Sequence, residues 1–384
     1  MNTLISHIRL VVAFILLSPL SVNAQVINGT ISSGGQSRNY IVYLPAGFSP
    51  ATPRPLVFVL HGFTQSASNI MSISGFNAIA DTAGFVVAYP NGVGNAWNTN
   101  SGMSGGSTAD DIGFIANLTD TLQALYNIDP NRVFSCGFSA GGYMSHRLAC
   151  ESPRCYAAIA SVAGTMSTGA FTACQPSRPV PVTQIHGTTD FVVSYNGGFG
   201  GKSVNDVINL WVNNNNCPSS PVVTALPDIS STDQSTVELS RYSPCAGNTE
   251  VQLYKVNGGG HQWPGSTAIL GGVGATNQDI NASAEIWKFF RNYSCASPST
   301  GLQDGPPSSV SYSITGDGSG NFEVNFSGSL PVNSSYRVYD ISGRVILEGP
   351  ASERFSFSLK GQPRGAYVLN FAPAGLMKAT RFGY

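Results

Sequence analysis

The chain is poor in charge. Lysine and arginine number 19 and aspartate and glutamate 20 among 384 residues, for a net charge of −1. No basic stripe is available to neutralise phosphates or an anionic bilayer, which argues against nucleic acid and membrane-surface partners. Histidine is scarce as well. The five present include no His-Glu-x-x-His pair, so that metal-binding motif is missing. After the first two dozen residues no apolar run is long enough to span a bilayer. With so little charge, the surface must be covered by serine, threonine, asparagine and glycine, which are plentiful.

What is present begins with a targeting segment. His7 and Arg9 lead into an apolar run, Leu10 to Leu17, and Val22-Asn23-Ala24 offers small residues for cleavage. This predicts a secretory signal over 1–24 and a secreted or cell-surface protein with no membrane span. Seven cysteines in an exported chain predict disulfides with one thiol left over. Cys136, inside a short apolar run, is the expected buried thiol, and Cys217 with Cys245 is a plausible pair. Cys150, Cys155, Cys174 and Cys295 leave three connectivities open, with Cys155 to Cys174 preferred.

Hydrophobic patterning predicts alternating strands and helices. Val26 to Ser32 and Arg38 to Leu44 alternate as a hairpin does, and Leu56 to Leu60 is continuously apolar, as in a strand buried on both faces. Further strands are expected at Phe85 to Tyr89, Arg132 to Phe138, Tyr156 to Val162, Pro181 to Ile185 and Val251 to Val256. Helices are expected over Asn69 to Thr82, Asp110 to Tyr126 (closed by Asp129-Pro130), Tyr143 to Cys150 and Asn277 to Tyr293. The alternation implies an α/β fold, a mainly parallel sheet wrapped by helices, over 25–296. A Pro- and Ser-containing linker over 297–309 then leads to a small antiparallel β-sandwich over 310–384.

Chemistry concentrates at Gly137-Phe138-Ser139-Ala140-Gly141, a G-x-S-x-G between an expected strand and an expected helix. In that context the motif is a nucleophile elbow. A serine hydroxyl needs a base, and such sheets carry the order serine, acid, histidine. His7 leaves with the signal; His61 precedes the serine and His146 lies in the helix after it. His186 ends a strand just before the best acid and is expected to be a structural histidine. His261 remains, in a glycine-rich loop after the last strand of the domain. Asp190 directly follows the strand Val182 to Ile185 and is the expected acid, with Asp206 in reserve. The backbone N–H groups of Ala140 and Phe63, the latter in Leu60-His61-Gly62-Phe63, are the expected oxyanion donors.

The strings LHGFTQ, YPNGVGNAWN, DDIGF, IDPNRVFSCGFSAGGYMSHRLAC, VAGT, HGTTD and GGGHQWPG resemble those of the secreted polyhydroxybutyrate-depolymerase and feruloyl-esterase-like α/β hydrolases, from about Ile41 to Tyr293. The resemblance implies an α/β-hydrolase fold, a triad of Ser139, Asp190 and His261, and an oxyanion hole at Phe63 and Ala140. It also places Trp97 and Trp263 beside the acyl group and makes Asp110-Asp111 a structural pair opening a helix. Many polymer-degrading members carry cysteine where this chain has Phe63. The expected activity is therefore ester hydrolysis through an acyl-enzyme without metal or other cofactor, on feruloyl or acetyl esters of a plant polysaccharide, with polyester depolymerisation as the alternative and a non-catalytic binding protein as a remote one. YRVYDISGRVI and PRGAYVLNF resemble the C-terminal sorting domains of the type IX secretion system, which implies the secretion machinery as a partner.

Overall fold

The computed structural model describes residues 23–101, 106–198, 200–268, 273–295, 311–327, 334–340, 345–372 and 380–384. The expected signal and linker lie almost wholly outside these residues. The chain divides into two compact units, residues 1–296 and 297–384.

In the first unit the strands are β1 (Gln25–Ser33), β2 (Gln36–Leu44), β3 (Arg54–Leu60), β4 (Val86–Pro90), β5 (Ile128–Phe138), β6 (Ile159–Val162), β7 (Val182–Gly187), β8 (Val222–Ala225), β9 (Thr236–Tyr242) and β10 (Val251–Asn257). They form one sheet in the order β1-β2-β4-β3-β5-β6-β7-β10-β9-β8. The centre, from β4 to β10, is parallel. Antiparallel strands close both edges. The helices are α1 (Ala67–Ser74), α2 (Phe76–Ala83), α3 (Asp111–Tyr126), α4 (Ala140–Glu151), α5 (Thr168–Ala173), α6 (Val204–Asn214) and α7 (Ala282–Phe290).

Strand β3 explains how the layers assemble. Leu56, Phe58 and Leu60 enter one core with Phe114 and Leu118 of α3, Met144 and Leu148 of α4 and Trp211 of α6. Val57 and Val59 enter the other, with Ile70 of α1, Phe76 of α2 and Ile286 and Phe290 of α7. Successive residues of a strand point to opposite faces, so helices on both faces require an unbroken apolar run. This is the α/β-hydrolase architecture.

Three expectations need correction, and two strands were not expected at all. The helix expected over Asn69 to Thr82 is two helices, broken at Gly75, whose φ of 63° ends α1 and opens α2. Asp129-Pro130 does not close α3; Asn127 does so at φ 49°, and β5 already runs through the Asp-Pro pair. Strands β8 and β9 had no expectation, because every residue of β8 is exposed and leaves no alternation to read. The preferred disulfide is replaced by Cys150–Cys174 and Cys155–Cys295, beside the expected Cys217–Cys245. Cys150 ends α4 and Cys174 caps α5, with Cα atoms 4.8 Å apart. Cys155, in the loop after α4, therefore meets the end of the domain instead. Cys136 is free and buried.

The second unit contains β11 (Ser311–Gly316), β12 (Asn321–Ser327), β13 (Ser335–Asp340), β14 (Val345–Pro350), β15 (Arg354–Ser358), β16 (Ala366–Ala372) and β17 (Thr380–Gly383). A three-stranded sheet, β11-β12-β15, and a four-stranded sheet, β14-β13-β16-β17, share a core that includes Val324, Phe357 and Leu369. All their pairings are antiparallel.

Candidate active site

Strand β5 delivers the chain to Ser139, which sits between β5 and α4 at φ 53° and ψ −120°. A non-glycine residue at positive φ is strained and persists only where its surroundings hold it. Here the Ser139 N–H donates to the Val162 carbonyl at 2.9 Å, and its own carbonyl accepts from Gly142 N–H at 2.8 Å. The flanking glycines are steric requirements. A Cβ on Gly137 would lie 2.3 Å from the Gly141 carbonyl carbon, and one on Gly141 would lie 2.1 Å from the Leu60 carbonyl oxygen. The serine is thus presented at the N-terminus of α4, where the helix dipole favours negative charge.

His261 arrives from the loop after β10. Its N–H donates to the Val273 carbonyl at 2.7 Å, and that of Gly260 to Ala275 at 2.9 Å. The imidazole packs on Phe138, ring centroids 4.8 Å apart, directly beside the serine in sequence. Its Nδ1 lies 2.7 Å from Oδ2 of Asp190. Asp190 follows β7 and is almost wholly buried. Its Oδ1 accepts the backbone N–H groups of Val192 and Val193 at 2.9 and 2.8 Å. Burial alone would raise its pKa, but hydrogen bonds from His186 and His261 outweigh burial and hold the carboxyl far below the ordinary range. Asp206, the reserve acid, is exposed and caps α6 with Ser203.

The other histidines have structural partners. His61 Nε2 accepts from Gly92 N–H at 3.0 Å, and His146 Nδ1 accepts from the Trp211 indole at 3.1 Å. Burial lowers the pKa of each to about 4, against small opposing hydrogen-bond effects. His186 lies between Gln184 and the carbonyl of Val193.

A cleft of about 420 Å³ opens at Ser139 and Ala140 and is lined by Phe63, Trp97, Tyr143 and the Phe191-Val192-Val193 segment. Among the described residues neither the Phe63 nor the Ala140 N–H has a protein acceptor, so both are free to meet an oxyanion. The two tryptophans part company. Trp97 lines the cleft, its indole N–H donating to the His61 carbonyl at 2.8 Å. Trp263, as buried as Trp97, does not line the cleft; it donates to Ser283 and packs on Phe76 and Phe138 in the core, so its expected place beside the acyl group is corrected. The residues missed from sequence are Tyr143 and Phe191 to Val193. The apolar triplet directly after Asp190 was the available signal. Asp110 caps α3 by accepting from Gly113 N–H, and Asp111 is buried against Arg38.

A strained serine at a strand-to-helix turn of a mainly parallel sheet, with a buried imidazole–carboxylate pair packed on the residue before it, defines the serine-hydrolase class of α/β-hydrolase. Relatives agree with that class. The family model described as Esterase PHB depolymerase matches residues 38–201. The Putative esterase NocK of Nocardia uniformis subsp. tsuyamanensis is 31% identical over 273 residues, covering 65% of this chain and 78% of that protein. Feruloyl esterase B of Piromyces equi is 31% identical over 239 residues, 58% of this chain and 42% of its own length. A poly(3-hydroxybutyrate) depolymerase of Ralstonia pickettii is 32% identical over 199 residues, 48% of this chain and 36% of that one. The chain thus spans less than half the length of the latter two. It belongs to the Esterase PHB depolymerase family and is a carboxylic ester hydrolase.

Proposed function

We propose that Ser139, His261 and Asp190 are the catalytic triad of an exported esterase that removes feruloyl or acetyl groups from a plant polysaccharide. The Ser139 hydroxyl attacks the ester carbonyl while His261 Nε2 takes its proton. The N–H groups of Phe63 and Ala140 hold the resulting oxyanion. Collapse of the intermediate expels the alcohol, which carries away the proton from His261, and leaves an acyl-serine. Water, deprotonated by the same imidazole, then releases the acid. The observation that carries this assignment is the 2.7 Å contact of His261 Nδ1 with Asp190, made while the ring rests on Phe138. It commits Nδ1 to the carboxylate and leaves Nε2 for the serine proton.

The substrate class rests on the cleft and on the relatives. A volume of about 420 Å³ suits a small acyl group. Its aromatic and aliphatic walls suit a phenolic ring, each aromatic contact contributing about 0.5–1.5 kcal/mol beyond burial. The low charge of the chain favours a neutral ester. The likeness to a feruloyl esterase supports the same reading, and the likeness to a polyhydroxybutyrate depolymerase supports polyester as the second one. A panel of methyl ferulate, acetylated xylan and polyhydroxybutyrate film separates them. Release of ferulate or acetate is expected; hydroxybutyrate from film, with neither of those released, would reverse the order.

Export is supported by the signal-like first 24 residues and by three disulfides, which persist in oxidising compartments. The C-terminal β unit, set off by a linker, is proposed as the sorting domain that the secretion machinery reads.

A further inference from the structure

Four buried polar side chains outside the triad line up behind its acid. Trp211, His146 and Gln184 are fully buried and His186 is 1% exposed. The Trp211 indole N–H reaches His146 Nδ1 at 3.1 Å, and His146 Nε2 reaches Gln184 Oε1 at 3.2 Å. Gln184 Nε2 lies 3.2 Å from His186 Nδ1, and His186 Nε2 lies 3.4 Å from Asp190 Oδ2 and 2.8 Å from the Val193 carbonyl.

The direction of every bond in this series follows from two fixed points. An indole nitrogen can only donate, so His146 Nδ1 accepts and its proton sits on Nε2. A carbonyl oxygen can only accept. Gly164 O lies 2.6 Å from Gln184 Nε2 and therefore fixes which end of the amide is nitrogen. The second proton of that nitrogen faces His186 Nδ1, which must accept, so the His186 proton also sits on Nε2, donated to the Val193 carbonyl at 2.8 Å with Asp190 Oδ2 beside it at 3.4 Å. Trp211 and Gly164 impose the same polarity independently.

We propose that Trp211, His146, Gln184 and His186 form a polarised hydrogen-bond relay that positions Asp190 and tempers its charge. His186 is a positioning residue acting through Asp190. This inference rests on the triad assignment above. The titratable groups facing Asp190 are His186 from β7, His261 from the loop after β10 and Tyr143 from α4. The positive end of the His186 N–H, 3.4 Å from Asp190 Oδ2, offsets part of the carboxylate charge that His261 feels. Removing it strengthens the field at the imidazole, stabilises the imidazolium and raises the pH at which His261 becomes a competent base.

The test uses the purified full chain and p-nitrophenyl acetate. In His186→Phe, the acid limb of kcat/KM should move to higher pH by roughly half a unit or more. His186→Gln, whose amide nitrogen overlays Nε2, should restore the limb to its original position. An unmoved limb in a folded His186→Phe variant, whatever the loss in melting temperature, would reduce His186 to packing and overturn the relay. A second measurement needs no substitution in the relay. With 15N-labelled histidine, the neutral forms of His146 and His186 should be Nε2–H tautomers, and that of His261 the Nδ1–H tautomer. A neutral Nδ1–H tautomer at His186 overturns the proposal even where the variant fails to fold. The two readings fail separately: an inert wild-type enzyme sinks the triad assignment, while the tautomers report on the relay alone.

Discussion

Arg38 and Asp111 meet in a buried ion pair, guanidinium nitrogen to carboxylate oxygen at 2.5 Å, joining β2 to the first residue of α3. The second carboxylate oxygen accepts the Asn98 N–H at 2.7 Å, one residue beyond Trp97. The pair therefore fixes the edge hairpin, a helix and one wall of the cleft together. Asp111→Ala, which strands a buried cation, should destabilise the catalytic unit by about 3–5 kcal/mol. Arg38→Met with Asp111→Leu should cost less than Asp111→Ala alone, because no buried charge is left behind. Urea melts of the three proteins decide this.

Ser139→Ala should abolish hydrolysis of p-nitrophenyl acetate while the circular dichroism spectrum stays unchanged. His261→Ala should lose nearly as much, since groups acting as a unit are not additive. Asp190→Asn should lower kcat by about 10⁴-fold. Asp206→Asn should leave kcat unchanged, because that carboxylate only caps α6. Full turnover in Asp190→Asn would refute the acid assignment.

Gly141→Ala asks whether the elbow tolerates a methyl group. The added carbon would overlap the Leu60 carbonyl oxygen at 2.1 Å, and both atoms belong to packed backbone. Overpacking of this kind costs about 1–3 kcal/mol or more. A melting temperature lower by several degrees is expected, with activity falling further as Ser139 is displaced. An unaltered melting curve would contradict the packing described.

Stability should fall on mild acidification. His61 and His146, with folded pKa values near 4, lie below the ordinary value of 6.5. Below that value the unfolded chain binds protons that the folded chain refuses, so stability declines from about pH 6.5 to about pH 4 and this contribution then levels off. The depressed Asp190 adds its own loss only at more acid pH, below the ordinary carboxylate range. His146→Gln can keep both hydrogen bonds without titrating, and should flatten the decline between pH 6.5 and 4. Melting temperatures at half-unit intervals test this.

Deleting residues 297–384 should leave turnover of small esters intact, because the two units are separately compact. In the native host the truncated enzyme should stay in the periplasm. Its normal appearance outside the cell would favour an accessory binding module over a sorting signal.

Much of this site was legible because its chemistry is local. Gly137 and Gly141 mark the elbow, and Asp190 and His261 follow directly on strands β7 and β10. What escaped depends on contacts distant in sequence. Trp263 stands two positions after His261 along the chain, yet its indole turns into the α2 and α7 side of the core, which proximity cannot show. Cys155 has a cysteine 19 positions away but pairs with one 140 away, because α4 and α5 bring Cys150 and Cys174 together first. The exposed strand β8 pairs through its backbone alone, so it leaves no trace in hydrophobic periodicity.

The Cys155–Cys295 bond gives the catalytic unit a mechanical boundary. Cys295 is also held by its N–H on the Asn131 carbonyl at 2.8 Å, five residues after α7 ends at Phe290. A pull applied to the chain beyond residue 296 is therefore carried through sulfur into the loop after α4, rather than peeling α7 away from the sheet.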